Sequence, residues 1–179
     1  KRESRKLDAD TQQIHERIQT PRGDLVSVTE QRRGINTSWR IKYPVESLED
    51  FQKLRSIPFE IDPVSYQYYE EDLKNLDDRG VTCLGVSSPW VAVTACMPLE
   101  QALMWTATER NLLLESIQEV TERVLACLRV ICRRPLDTIA NLGGAEQCTP
   151  PMMSPDAFAE FVTPYDRRIV TFLKEHDIP

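Results

Sequence analysis

From Val81 onward the apolar pattern alternates between short β-type runs and longer helical ones, and this order constrains the fold more than any single motif does. The segments run "VTCLGVSSPWVAV", "LEQALMWTA" with "ERNLLLESIQEVTERVLACLRVICRR", "LDTIANLGG", and "SPDAFAEFVTPYDRRIVTFLKEHD". Strand and helix in alternation, with no hairpin turn between strands, predict parallel strands joined by right-handed crossovers. The expected strands are 81–86 and 138–142. The long helix carries Leu113, Ile117, Val120, Val124, Leu128 and Ile131 on one stripe, with Glu115, Glu119, Glu122 and Arg123 opposite, so it is expected to cover one face of a sheet. Ser154 is placed as the cap of the last helix with Pro155 at its first position, and Pro164 should kink or break that helix by removing an interior hydrogen bond. Ile178 reads as the first residue of a further strand.

The first 80 residues follow other rules. Residues 24–45 hold Trp39, Ile41, Tyr43 and Val45 at period two after a Val-rich run and a Gly-Ile-Asn turn, which predicts a β-hairpin. "SLEDFQKLRSI" predicts a short amphipathic helix capped by Ser47, and "DPVSYQYYEEDLKNLDDRG" a second one with Asp62 as cap, Pro63 at its first position and Gly80 as the stop. The expected organisation is therefore 1–80, a hairpin-and-helix region, and 81–179, strand-helix-strand-helix.

Composition excludes several roles. A chain of 179 residues, 41% hydrophobic, can bury a core, and a net charge of -6 offers no basic footprint for nucleic acid. No apolar run reaches the roughly 18 residues of a membrane span, and no signal peptide is recognisable, so the expected location is the cytoplasm. Cys83, Cys96, Cys127, Cys132 and Cys148 are odd in number and irregularly spaced, which predicts buried free thiols. His15 and His176 are too far apart for a local metal motif, and no metal ligand is assigned. The absence of an initiating Met and the ending "EHDIP" suggest a piece of a longer protein.

In parallel α/β folds ligands bind beyond the carboxyl ends of the strands. Two segments qualify. The first is "SSPW", which offers Ser87, Ser88 and Trp90. The second is the dense stretch "GGAEQCTPPMMSP" (143–155) together with Asn141 just before it. Glu146 is the one carboxylate in that stretch and the candidate catalytic group; a lone loop acid is otherwise simply solvated. Asn141 and Gln147 either orient a ligand or satisfy loop backbone. Cys148 has no basic neighbour in sequence and reads as an inert thiol.

Three elements together carry a family resemblance: "P-x-x-S-x-E-D" at 44–50, Gly-x-x-x-Pro-Trp at 85–90, and "SP-x-x-F-x-x-F-x-x-P-Y" at 154–165. From about Thr20 onward the chain resembles the uroporphyrinogen decarboxylase superfamily, which includes corrinoid-dependent methyltransferases of the coenzyme M type. The resemblance implies a TIM-type (β/α)8 barrel, of which this chain would be a fragment preceded by the hairpin and short helices. It also implies a tetrapyrrole or methyl-donor substrate, a corrinoid protein as partner, and zinc and a corrinoid in the full-length enzyme but no cofactor within this chain. Strands of a partial barrel would leave edges unpaired, so self-association is expected. The decarboxylase pattern of an Arg-rich N-terminal motif followed by an Asp, and a Phe-Asp-Ser-Trp after the later strand, has no counterpart here; the chain reads "NLGGAEQCTPP" instead. The methyltransferase side of the family is thus the expectation, with a true decarboxylase or a non-catalytic binding domain as alternatives.

Overall fold

Charged residues open the chain, yet they build a sheet. In the computed structural model, which describes all of residues 1–179, β1 (Arg2–Lys6), β2 (Thr11–Ile18), β3 (Leu25–Arg32) and β4 (Ser38–Lys42) form one antiparallel sheet in sequence order. The expected hairpin is present as β3 and β4, with a register shift between Val28 and Thr29. Tyr43 and Val45 lie beyond it, and Trp39 and Ile41 are exposed. The sheet buries Ile14, Leu25, Ser27 and Val28 instead. Helix α1 (Leu48–Arg55) is capped by Ser47, whose hydroxyl accepts the Asp50 N–H, and buries Phe51.

The chain divides into two compact units. The first comprises Lys1–Phe59 with Ala95–Ala102; the second comprises Glu60–Thr94 with Leu103–Pro179. The excursion at 95–102 is held at its backbone carbonyls: the Val45 N–H donates to Cys96 O, and the Arg40 guanidinium donates to Ala95 O at 2.7 Å.

In the second unit α2 spans Gln67–Leu76, later than expected. Asp62 and Pro63 lie in the preceding loop, where no helical hydrogen bonds follow them. The helix ends at Asp77, which adopts a φ of 51°, so the stop falls three residues before Gly80. Strands β5 (Thr82–Ser87) and β6 (Thr138–Gly143) pair in parallel, Val86 opposite Leu142 and Ser87 opposite Gly143. Between them run α3 (Pro89–Thr94), α4 (Leu99–Thr108) and α5 (Arg110–Ile131). The "SSPW" segment, expected as a loop after the strand, enters helix α3 at Pro89. The α/β class holds, with two parallel strands and no closed barrel.

The α5 stripe is rotated from its predicted position. Leu113, Ile117, Thr121, Leu125 and Leu128 are buried, whereas Val120, Val124 and Ile131 are only partly so. Steps of four residues follow one ridge of the helix. Polar Ser116 and Thr121 are tolerated there because their hydroxyls donate back to the carbonyls of Leu112 and Ile117, each at 2.7 Å. After a single 3-10 turn at Ala145–Cys148, the last helical segment breaks as predicted into α6 (Pro155–Phe161) and α7 (Thr163–Glu175), with Pro164 in the first turn of the second. Ser154 caps α6 by accepting the Ala157 N–H at 3.2 Å. Ile178 is buried, and the Pro179 carbonyl accepts the Ala140 N–H of β6 at 2.7 Å.

Leu125, Leu128, Val86, Ile169, Leu173 and Ile178 form one core cluster. Leu125→Ala is expected to destabilise by about 2–5 kcal/mol, the range for a buried leucine. Val120→Ala, on the predicted stripe, should cost less than about 1.5 kcal/mol because that side chain is only partly withdrawn from water. Urea unfolding of the two variants checks the rotation, and equal losses would restore the predicted stripe.

Candidate functional site

Alternation along a strand sends successive side chains to opposite faces, and the parallel pair uses its two faces differently. Leu84, Val86, Ala140 and Leu142 join the helix-covered core. Cys83, Gly85 and Ser87 of β5 and Ile139 and Asn141 of β6 are exposed. In register, Cys83 lies opposite Ile139, Gly85 opposite Asn141, and Ser87 opposite Gly143. Ser87 and Asn141 therefore share one open face near the carboxyl end of the pair.

Ser88 and Trp90 do not share it. Both are fully buried. Ser88 extends the ladder by donating its N–H to Gly143 O at 3.0 Å, and its hydroxyl donates to Asp166 Oδ1 at 2.8 Å. The "SSPW" segment is thus the last strand residue followed by the first turn of α3, and only Ser87 looks outward. Trp90 meets Phe161 edge-on, with centroids 5.8 Å apart at 68°. Its indole N–H has no well-aligned partner but lies near the Cys148 thiol, whose ionised form it favours. Burial outweighs that effect and pushes the thiol up to about 11, helped by the negative charges of Asp166 and Glu146. Cys148 is the one fully buried cysteine; Cys83 is exposed and the other three are partly buried, all as free thiols.

The loop after β6 depends on Gly144. It has a φ of +106°, and a Cβ there would lie 2.7 Å from Val91 Cγ2 of α3. Only glycine fits so close an approach. Gly143 is under no such constraint, since a Cβ at that position meets nothing nearer than Asn141 Oδ1 at 3.9 Å. Glu146, exposed on the 3-10 turn, accepts the Gly144 N–H through Oε2 at 2.9 Å, and its backbone carbonyl accepts from Thr149 Oγ1 at 2.9 Å. One carboxylate oxygen therefore shapes the loop while the other makes no bond within the protein. Gln147 is exposed beside it; Met153 is buried, whereas Met152 is exposed.

Asp166 is the functional-site residue that sequence reasoning missed. It lies in the first turn of α7, 78 residues from Ser88, and its only sequence signal is a carboxylate two residues after a helix-starting proline. Burial raises its carboxyl above the ordinary aspartate range, and the Ser88 hydroxyl partly offsets this.

No three His, Cys, Asp or Glu side chains come together as a metal site. A cavity of about 590 Å³ opens at the other end of the strands, between α2 and β5, lined by Tyr66, Tyr69, Leu76, Cys83, Ile131 and Leu136. No helix is long and apolar enough to cross a membrane.

The uroporphyrinogen decarboxylase (URO-D) family model matches residues 35–179. The chain belongs to this family. No curated protein and no solved structure is significantly similar to it.

The raised Asp166 carboxyl fixes the sign of a pH effect. An acid that binds its proton more tightly when folded makes stability fall as pH rises from the unfolded-state value through the folded one. Asp166→Asn is expected to remove that part of the slope, and Ser88→Ala to extend it to higher pH. Urea titrations at stepped pH measure both; an unchanged slope in Asp166→Asn would show that the carboxyl is not perturbed.

Proposed function

We propose that this chain is part of a cytoplasmic URO-D family enzyme that performs methyltransferase-type chemistry on a tetrapyrrole- or corrinoid-linked one-carbon substrate. The observation that carries the reading is the one-sided burial of the β5–β6 pair. Its open face bears hydrogen-bonding groups, Ser87 and Asn141, at the carboxyl end, where ligands of parallel α/β folds bind. The methyltransferase side is favoured because "NLGGAEQCTPP" stands where the decarboxylase pattern has Phe-Asp-Ser-Trp. In the complete protein the open face would line a (β/α)8 barrel. A corrinoid protein would deliver the methyl donor, and the unpaired strand edges of this chain by itself would favour self-association.

The geometry supports a role for each residue in this reading. Asn141 offers an amide donor and acceptor, Ser87 a hydroxyl, and Gln147 a second amide at the rim. Glu146 presents its unbonded carboxylate oxygen to a donor on the substrate or orients it, while its other oxygen keeps the loop closed on Gly144. Ser88 and Asp166 act behind the face, joining the start of α3 to the start of α7. Trp90 fills the space beneath them.

Glu146→Gln retains an acceptor for the Gly144 N–H and should fold normally. In the full protein, Glu146→Gln and Asn141→Ala are each expected to lower kcat/KM for methyl transfer from methylcobalamin to a thiol at least tenfold, about 1.4 kcal/mol. Wild-type kinetics in both would remove these residues from the chemistry. Decarboxylation of uroporphyrinogen without methyl transfer would overturn the methyltransferase reading and leave the family assignment standing.

A further inference from the structure

The antiparallel sheet of the first unit, most of which precedes the family-matched residues, has a polar cleft of about 560 Å³ at one end. Its floor is set by register. Lys6 pairs with Gln12, Gln12 with Gln31, and Gln31 with Ser38, so one row of side chains crosses all four strands on a single face. Its walls are the β1–β2 turn, containing Asp8 and Asp10, and the β3–β4 turn, containing Arg33.

Several of these groups are already engaged. Asp8 Oδ1 accepts the N–H groups of Asp10 and Thr11, at 2.8 and 2.7 Å, which shapes the turn and holds that carboxyl below its usual range. Arg32 is paired with Glu30 at 3.2 Å. The remaining groups form an ordered set. Ser4 Oγ donates to Gln12 Oε1 at 3.4 Å, and Gln12 Nε2 donates to Gln31 Oε1 at 2.9 Å. This relay occupies the acceptor of Gln31 and leaves its NH2 as a donor. Ser38 stands opposite Gln31 in the register, and Lys6 and Arg33 line the same cleft; none of the three is engaged by another side chain.

We propose that this cleft binds the oxyanion of a small metabolite, a carboxylate or a phosphate. Two cations and two neutral donors line this cleft, and such groups make charge-assisted bonds to an oxyanion. A cation or an apolar ligand would instead leave those donors uncompensated. Asp8 and Asp10 limit the affinity, because both carboxylates line the cleft and oppose the incoming charge. The site is independent of the methyltransferase reading, since it uses none of the residues of the parallel sheet.

Titration of the full chain with inorganic phosphate and, separately, with succinate, followed by amide chemical shifts, tests the proposal and distinguishes the two sources of oxyanion. Saturable shifts at Lys6, Gln31, Arg33 and Ser38 with either probe are expected. Lys6→Met and Arg33→Met should each weaken binding at least tenfold, and Asp10→Asn should tighten it. Arg5 adjoins Lys6 but points to the opposite face, so Arg5→Met removes the same charge and should leave affinity within about twofold. These positions are exposed, and an unchanged thermal midpoint verifies that each variant folds. The proposal is overturned by non-saturating shifts with both probes in the wild-type chain, or by an Arg5→Met loss equal to that of Lys6→Met, which would indicate bulk charge alone.

Discussion

Burial of one face of the β5–β6 pair against α5 and α7 is the constraint on which the second unit depends. Val86 meets Leu125, Leu128, Ile169 and Leu173 in a single cluster, and withdrawing each such side chain from water contributes roughly 1.5–3 kcal/mol. Because the side-chain period in a strand is two, committing Val86 and Leu142 to the helices commits Ser87 and Asn141 to the other side. The polar open face is thus a geometric consequence of the apolar one. A slip of one residue in β6 would bury the Asn141 amide, and one in β5 the Ser87 hydroxyl, each exposing core residues, so the register that stabilises the unit also presents the candidate ligand groups.

The carboxyl end of the pair is then fixed by two close contacts. The Ser88–Asp166 hydrogen bond ties the first turns of α3 and α7 together, and Gly144 brings the loop after β6 against Val91. Both bring long-range parts of the chain together around a partly dehydrated carboxyl and a fully buried thiol. Glu146 sits above them in solvent, where its charge carries a smaller desolvation cost. The arrangement separates a supporting layer of Ser88, Trp90, Cys148 and Asp166 from an outward layer of Ser87, Asn141, Glu146 and Gln147.

Much of the second unit was legible because its signals are local. Alternating apolar runs marked β5 and β6 to within about one residue, Ser154 marked a cap, and Pro164 marked a break. What was not legible depends on contacts distant in sequence or on weak patterns. Strands β1 and β2, "RESRK" and "TQQIHERI", show no apolar alternation because their side chains are mostly solvated. Trp90 reads as a loop residue until Phe161, 71 positions on, is seen against it. The exposed Trp39 and Ile41 show that period two identifies a strand without saying which face is covered. Helix α2 stops at Asp77, which has a φ of 51°, three residues before the stop expected at Gly80. Of the candidate site, the open-face residues and the loop were found from strand order, whereas Asp166 required the fold.

The division into an open and a buried face is tested most directly by the two cysteines that lie on either side of it. Cys83 is exposed on the open face, and Cys148 is buried in the supporting layer with its thiol pushed up to about 11. Brief alkylation of the native chain with a maleimide near neutral pH, followed by peptide mass spectrometry, reads each site separately. The account predicts that Cys83 is modified rapidly and that Cys148 remains protected until the chain is unfolded. Native modification of Cys148 as fast as Cys83 would contradict it, because the layer said to support the site would then be open to solvent.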